Sequence, residues 1–188
     1  LDQNGHTGPY FLSMQKDHNI EFSKDSELEE IGKFALSASS LSNISIPDKV
    51  TKIGQFAFYE CQNLKSVTFS EKSELLSIDN WLNLERGFGS LSSFALSSIA
   101  IFSIPSNTEY IGEFAFFKCT KLEKFNIPTD SKLNFIDKSS FSFSSIESFS
   151  IPVKVSHIGD NAFSNCINLK LVEIPTNSPL EIINKEIF

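Results

Sequence analysis

Short triplets of apolar, polar and apolar residues punctuate the chain. They are Ile44-Ser45-Ile46, Val67-Thr68-Phe69, Phe102-Ser103-Ile104, Phe125-Asn126-Ile127, Phe149-Ser150-Ile151 and Val172-Glu173-Ile174, and Ile20-Glu21-Phe22 opens the series. Alternation with a period of two is strand periodicity, so each triplet predicts a short strand with its middle residue on the opposite face from its neighbours. Pro47, Pro105, Pro128, Pro152 and Pro175 follow five of these triplets directly. Proline has no amide to donate, so it ends the ladder at the same point each time and starts an outward turn.

Between the strands runs a second pattern. "IGQFAFYECQNLKSVTF" begins at Ile53, "IGEFAFFKCTKLEKFNIP" at Ile111 and "IGDNAFSNCINLKLVEIP" at Ile158. Their common form is Ile-Gly-x-x-Ala-Phe-x-x-Cys-x-x-Leu, followed by the strand. Registered on this Ile, units begin at Ile31, Ile53, Ile78, Ile111, Ile136, Ile158 and Ile183, with lengths of 22, 25, 33, 25, 22 and 25 residues. If about eleven residues of the third unit are an insertion, 22 and 25 alternate throughout. The short units resemble one another in turn: "SSFALSSIAIFSIP" from Ser92 and "SSFSFSSIESFSIP" from Ser139 agree at ten of fourteen positions. Self-similarity at this period means a solenoid, in which each unit buries its apolar side only against its neighbours.

Stacked units place equivalent side chains in rows about 4.8 Å apart. Leu36, Phe58, Phe94, Phe116, Phe141, Phe163 and Phe188 are expected to form one such row, which accounts for an abundance of Phe (19, against three Tyr and one Trp). Gly32, Gly54, Gly112 and Gly159 suggest a tight bend. The Ala-Phe stretch that follows reads as a helical or 3₁₀ turn, being too short for a full helix. The expected fold class is an α/β repeat solenoid, with one short strand per 22–25-residue unit and irregular or 3₁₀ turns on the return side. The whole of 1–188 reads as one solenoid, with a degenerate part at 1–19 and an insertion at 79–90. Phe188 falls at a ladder position with no polar cap after it, so a piece of a longer array is expected.

The Ile-Gly-x-x-Ala-Phe-x-x-Cys-x-x-Leu grammar and the Ile-Pro closing each strand resemble the leucine-rich repeats of BspA-like proteins, found among bacterial and parasitic-protist surface proteins. The resemblance extends from about Ile20 to Phe188. It implies a curved or twisted solenoid shown at a cell surface for adhesion or recognition, and hence an extracellular protein.

Composition narrows the function without naming it. The formal net charge is −7, and the 16 bases gather into no basic stripe, so nucleic acid is not an expected partner. No apolar run is long enough for a membrane span, and no signal peptide is visible at the start. Cys61, Cys119 and Cys166 share one position of the long units and lie two units apart, beyond disulfide reach; they read as buried structural thiols. His6, His18 and His157 are scattered. Asp17, His18 and Glu21 make at most a weak cation cluster, and Gly87-Phe88-Gly89-Ser90 lacks the Lys of a phosphate loop. Glu27, Glu29 and Glu30 read as a solvated turn. No catalytic residue, cofactor site or metal site is expected, and the chain does not read as an enzyme.

Two surfaces compete as binding sites. The outward residues of the strands form one row of Glu21, Ser45, Thr68, Ser103, Asn126, Ser150 and Glu173. A second row holds Asn43, Ser66, Ile101, Lys124, Ser148 and Leu171, where Ile101 and Leu171 have no core role. The insertion "DNWLNLERGFGS" holds the single Trp (Trp81), the single Arg (Arg86) and Phe88; Trp and Arg are enriched at interface hot spots. The expected partner is a protein or glycan on another cell or matrix, with no direct membrane insertion. Self-association into a filament or array is the alternative. Asn43-Ile44-Ser45 is an N-glycosylation sequon.

Overall fold

The structure, a computed structural model, describes residues 20–79, 92–180 and 186–188. Among these residues it contains twelve short strands and no helix. Two-residue strands are built on the recurring Ile: β1 (Glu30–Ile31), β3 (Lys52–Ile53), β5 (Ser77–Ile78), β7 (Tyr110–Ile111), β9 (Phe135–Ile136) and β11 (His157–Ile158). Three-residue strands alternate with them: β2 (Asn43–Ser45), β4 (Ser66–Thr68), β6 (Ile101–Ser103), β8 (Lys124–Asn126), β10 (Ser148–Ser150) and β12 (Leu171–Glu173). All pairing is parallel, as expected for coils wound in one direction. The molecule is a leucine-rich-repeat β-solenoid, with two strands in each coil where the sequence pattern showed one.

The missed strand has a simple cause. A two-residue strand is too short to display alternation, and its Ile was legible only as a repeat marker. In the structure Ile31, Ile53, Ile78, Ile111, Ile136 and Ile158 pair in unbroken register across a six-stranded sheet. On the other face the three-residue strands form three separate two-stranded sheets, β2·β4, β6·β8 and β10·β12. Each joins a short unit to the long unit that follows it.

The expected Phe row is the axis of the core. Phe58, Phe94, Phe116, Phe141 and Phe163 stack nearly parallel, with successive ring centroids 4.8, 5.2, 5.4 and 5.3 Å apart. A second row, Phe102, Phe125 and Phe149 from the three-residue strands, meets it edge-on or tilted; Phe102 lies 5.0 Å from Phe94 and 4.9 Å from Phe116. Offset and edge-to-face contacts are the favoured arrangements of aromatic quadrupoles. The two rows interlock along the described stack, with Phe94, Phe102, Phe116, Phe141, Phe149 and Phe163 fully buried.

Between the recurring Ile and the Cys position, the chain forms linked β-turns in place of a helical or 3₁₀ segment. Ala115, Phe117 and Cys119 donate their amides within the turn, to Gly112, Phe114 and Phe116 respectively. The intervening amides of Phe114, Phe116 and Lys118 go to the next coil, to Lys138, Ser140 and Ser142. Every second amide is thus committed between coils, which leaves no continuous ladder for a helix. The geometry places Phe114 and Lys118 in the left-handed region, at φ 57° and 54°, and the same two positions recur at Phe34/Ala38, Phe56/Glu60 and Asn161/Asn165.

The motif glycine opens the first of these turns, as Gly112 does by accepting the Ala115 amide, and it also serves close packing. Neither Gly112 nor Gly159 adopts a positive φ. A Cβ on Gly159 would lie 2.4 Å from the Lys138 amide nitrogen of the preceding coil. Only a residue without a side chain lets the backbones approach this closely.

Candidate functional site

The three-residue strands carry the polar rows predicted from the sequence. Each has its middle residue inward and its flanking residues outward. Register brings Ile101 opposite Lys124, Ser103 opposite Asn126, and Ser148 opposite Leu171. Side chains within a pair reach each other: Ser66 Oγ donates to Asn43 Oδ1 at 2.8 Å, Asn126 Nδ2 to Ser103 Oγ at 2.9 Å, and Ser150 Oγ to Glu173 Oε2 at 2.5 Å. The rows are therefore a succession of paired patches.

Among the predicted site residues, Lys124, Asn126 and Glu173 are exposed on this face. Ile101 is 50% exposed and Leu171 52%, so both apolar side chains face solvent on a polar surface. Leu171 lies on β12 and shares its exposure with Ile167 and Ile174 of the same coil. Trp81, Arg86 and Phe88 lie outside the described residues.

The strand face is interrupted between β4 and β6, which form no ladder with each other. A groove of about 540 Å³ opens there, lined by Thr68, Phe69, Ser103, Pro105, Pro128 and Asp130 among others. Apolar Phe69 and the two prolines lie beside hydroxyls and a carboxylate. Its volume is that of sites that take a small ligand or one anchoring side chain.

A third surface was not anticipated. On the turn side Phe34 stacks on Phe56 at 4.6 Å, and Phe117 contacts Phe114 at 5.4 Å and Phe143 at 5.7 Å. The Lys118 ammonium lies 5.3 Å from the Phe117 ring centroid and 5.7 Å from that of Phe143. Phe34 and Phe143 are exposed, and Phe56, Phe114 and Phe117 half-buried. Counting Phe as core material hid this surface; the signal was Phe at variable positions of the repeat rather than at the ladder position.

The three thiols are buried and free. Cys61, Cys119 and Cys166 donate to the carbonyls of Leu36, Phe94 and Phe141, at 3.0, 3.0 and 3.1 Å. Each also meets a buried Ser of the preceding short unit, Ser39, Ser97 or Ser144. Burial pushes all three thiols up, Cys119 to about 12, so none is poised as a nucleophile. Among the described residues no group of His, Cys, Asp and Glu is arranged to hold a metal ion, and no helix is long and apolar enough to cross a membrane.

The repeated two-strand coil, the Phe axis and the Cys position define a leucine-rich-repeat protein. The BspA-type leucine-rich repeat region matches residues 10–82 and 90–188 in six copies, and the chain belongs to that family. Among solved structures it is similar to the pneumococcal vaccine antigen PcpA, at 26% identity and a TM-score of 0.68, over 80% of this chain and 36% of that one. It is also similar to a leucine-rich cell surface protein of Faecalibacterium prausnitzii A2-165, at 25% identity and a TM-score of 0.51, over 82% and 44% of the two chains. A leucine-rich-repeat protein of Bacteroides ovatus ATCC 8483, at 23% identity and a TM-score of 0.54 over 80% and 42%, shares the fold. The chain thus spans less than half the length of each of these proteins. No curated protein matches it.

Proposed function

We propose that this repeat region is a noncatalytic recognition or adhesion module of a cell-surface protein. It works outside the cell and holds a protein or glycan of another cell or matrix on its strand face. The observation carrying this reading is Ile101, half exposed on β6 directly opposite Lys124, with neither side chain needed by the core. An apolar group beside a cation on a rigid strand pair is an economical anchor, since the scaffold loses little freedom on binding. The description of a relative as a leucine-rich cell surface protein supports the location. Trp81, Arg86 and Phe88 are a second candidate surface on the same module.

The test is a protein and glycan array probed with the purified chain, followed by affinity measurements on the strongest hit. Ile101→Asp with Lys124→Glu is expected to weaken binding at least tenfold, and Asn126→Ala or Glu173→Ala by less. Unchanged affinity in the Ile101/Lys124 variant, with loss in Trp81→Ala and Arg86→Ala, transfers the site to the insertion. Self-assembly is the competing reading, favoured by the exposed Ile167, Leu171 and Ile174. Light scattering separates the two: mass that rises with concentration supports assembly.

A further inference from the structure

Asp79 directly follows the ladder residue Ile78, where Gly54 and Gly112 stand in the neighbouring coils. Its backbone is left-handed, at φ 68°, and its side chain is turned inward, with the residue 3% exposed. Oδ2 accepts the Ser93 amide at 2.9 Å and the Ser92 hydroxyl as well. Ser93 is itself fixed to the preceding coil: its hydroxyl donates to the Gly54 carbonyl at 2.8 Å, and its carbonyl accepts the Phe58 amide at 2.7 Å. One carboxyl therefore ties the end of β5 to a turn that begins thirteen residues later. The following coil leaves space for it, since a Cβ on Gly112 would lie 2.5 Å from the Asp79 Cβ. The other oxygen, Oδ1, is buried with no hydrogen-bond partner among the described residues.

We propose that Asp79 is a proton-operated clasp: its neutral carboxyl holds the strand end at Ile78 to the turn at Ser92–Ser93, and its ionisation loosens that joint. The neutral form suits the site. The two donors on Oδ2 favour the charged form, but burial outweighs them, and Oδ1 has no hydrogen-bond partner among the described residues. An ionised carboxylate would leave a buried charge half satisfied, an arrangement strongly disfavoured away from water. Of the charged groups around it, Lys52 on β3 is the attracting one, but its ammonium is engaged by Glu30 at 3.0 Å. On the β7 side Tyr110 is an uncharged neighbour whose hydroxyl donates to Asp137, and Glu113 and Asp137 around it add only negative charge. Ser92, Ser93 and Gly112 contribute no charge. Burial accordingly pushes the Asp79 carboxyl up to about 7. The joint is thus closed in mildly acidic surroundings and loosened in mildly alkaline ones, whichever face of the module binds a partner.

Hydrogen exchange on the whole chain tests this. After correction for intrinsic exchange, protection of the Ser93 and Ala95 amides is expected to fall about tenfold per pH unit from about pH 5 to about pH 7, then level off. The Phe116 and Phe141 amides, deeper in the stack, should hold. Asp79→Asn, neutral at every pH, should remove the fall. A flat wild-type profile, or the same slope in Asp79→Asn, overturns the clasp. Should Asp79→Asn fail to fold, a carboxyl-carbon NMR titration of the wild type decides: a midpoint near the ordinary carboxylate value of about 4 overturns it, and one near neutrality that the Ser93 amide shift follows supports it.

Discussion

The Ser97 hydroxyl and the Cys119 thiol lie 3.6 Å apart, both buried and 22 residues apart in sequence. The pair recurs as Ser39 with Cys61 and Ser144 with Cys166, at 3.4 Å in each case. In all three, Ser comes from a short unit and Cys from the long unit after it. The same partners share a three-residue strand ladder. The working repeat is therefore a doublet, and the alternation of 22 and 25 residues is its signature.

Coupling within the doublet is open to a double-mutant cycle. Ser97→Ala and Cys119→Ala should each destabilise in urea unfolding, and the two together by less than the sum. The expected interaction is about 0.5–1.5 kcal/mol, the net worth of a buried hydrogen bond. Strict additivity would reduce the pair to mere neighbours.

Phe116 is enclosed by Phe94, Phe141, Phe102 and Phe125, all with ring centroids within 5.4 Å. Phe116→Ala should cost about 3–5 kcal/mol, since removing a ring from a close-packed stack leaves a cavity. Phe188, 53% exposed and 6.1 Å from Phe163, should lose much less. Equal losses at the two sites would contradict the assignment of Phe116 to the core axis.

Stability should also carry a pH signature. Burial raises the Asp79 carboxyl to about 7 and the Glu113 carboxyl in the same direction. Between about pH 4, where an unfolded carboxyl ionises, and about pH 7, the folded chain keeps a proton on Asp79 that the unfolded chain has lost. The slope of unfolding free energy against pH is then negative, so these groups lower stability as pH rises through that window and add no further change above it. Urea midpoints at pH 5 and pH 7.5 measure it, and Asp79→Asn should flatten most of the difference.

A doublet should be removable as a unit. Deleting 111–157 joins a short unit to a long one and keeps the Ser–Cys pairing, so a shorter solenoid should fold with a cooperative melt. Deleting 111–135 alone sets two short units side by side, Ser97 against Ser144, and should lower the melting temperature further although fewer residues are lost. The reverse ranking would show that single units stack without regard to class.

Much of this was legible in the sequence because a solenoid writes its geometry as repetition. Phe58, Phe94, Phe116, Phe141 and Phe163 fell into one row by counting alone, and the outward strand residues followed from alternation. What escaped had a local cause. Tyr110–Ile111 and its equivalents are too short to alternate, and the turn around Phe114 exchanges amides between coils, which no single-unit pattern reveals. The exposed Phe34 and Phe143 were hidden by the strength of the Phe signal itself. The clasp at Asp79 depends on Ser93 meeting Gly54 across coils, a contact between residues with no shared motif.

The contrast between one unbroken sheet on the Ile face and three separate two-stranded sheets on the other gives the molecule a mechanical grain. Under tension along its length, the seams between β4 and β6 and between β8 and β10 have no strand ladder to hold them, while the continuous Ile sheet resists. Force should therefore peel coils away two at a time, each event releasing one short and one long unit, or about 160 Å of extended chain at roughly 3.4 Å per residue. A solenoid that yields in such steps would dissipate load gradually rather than fail at once.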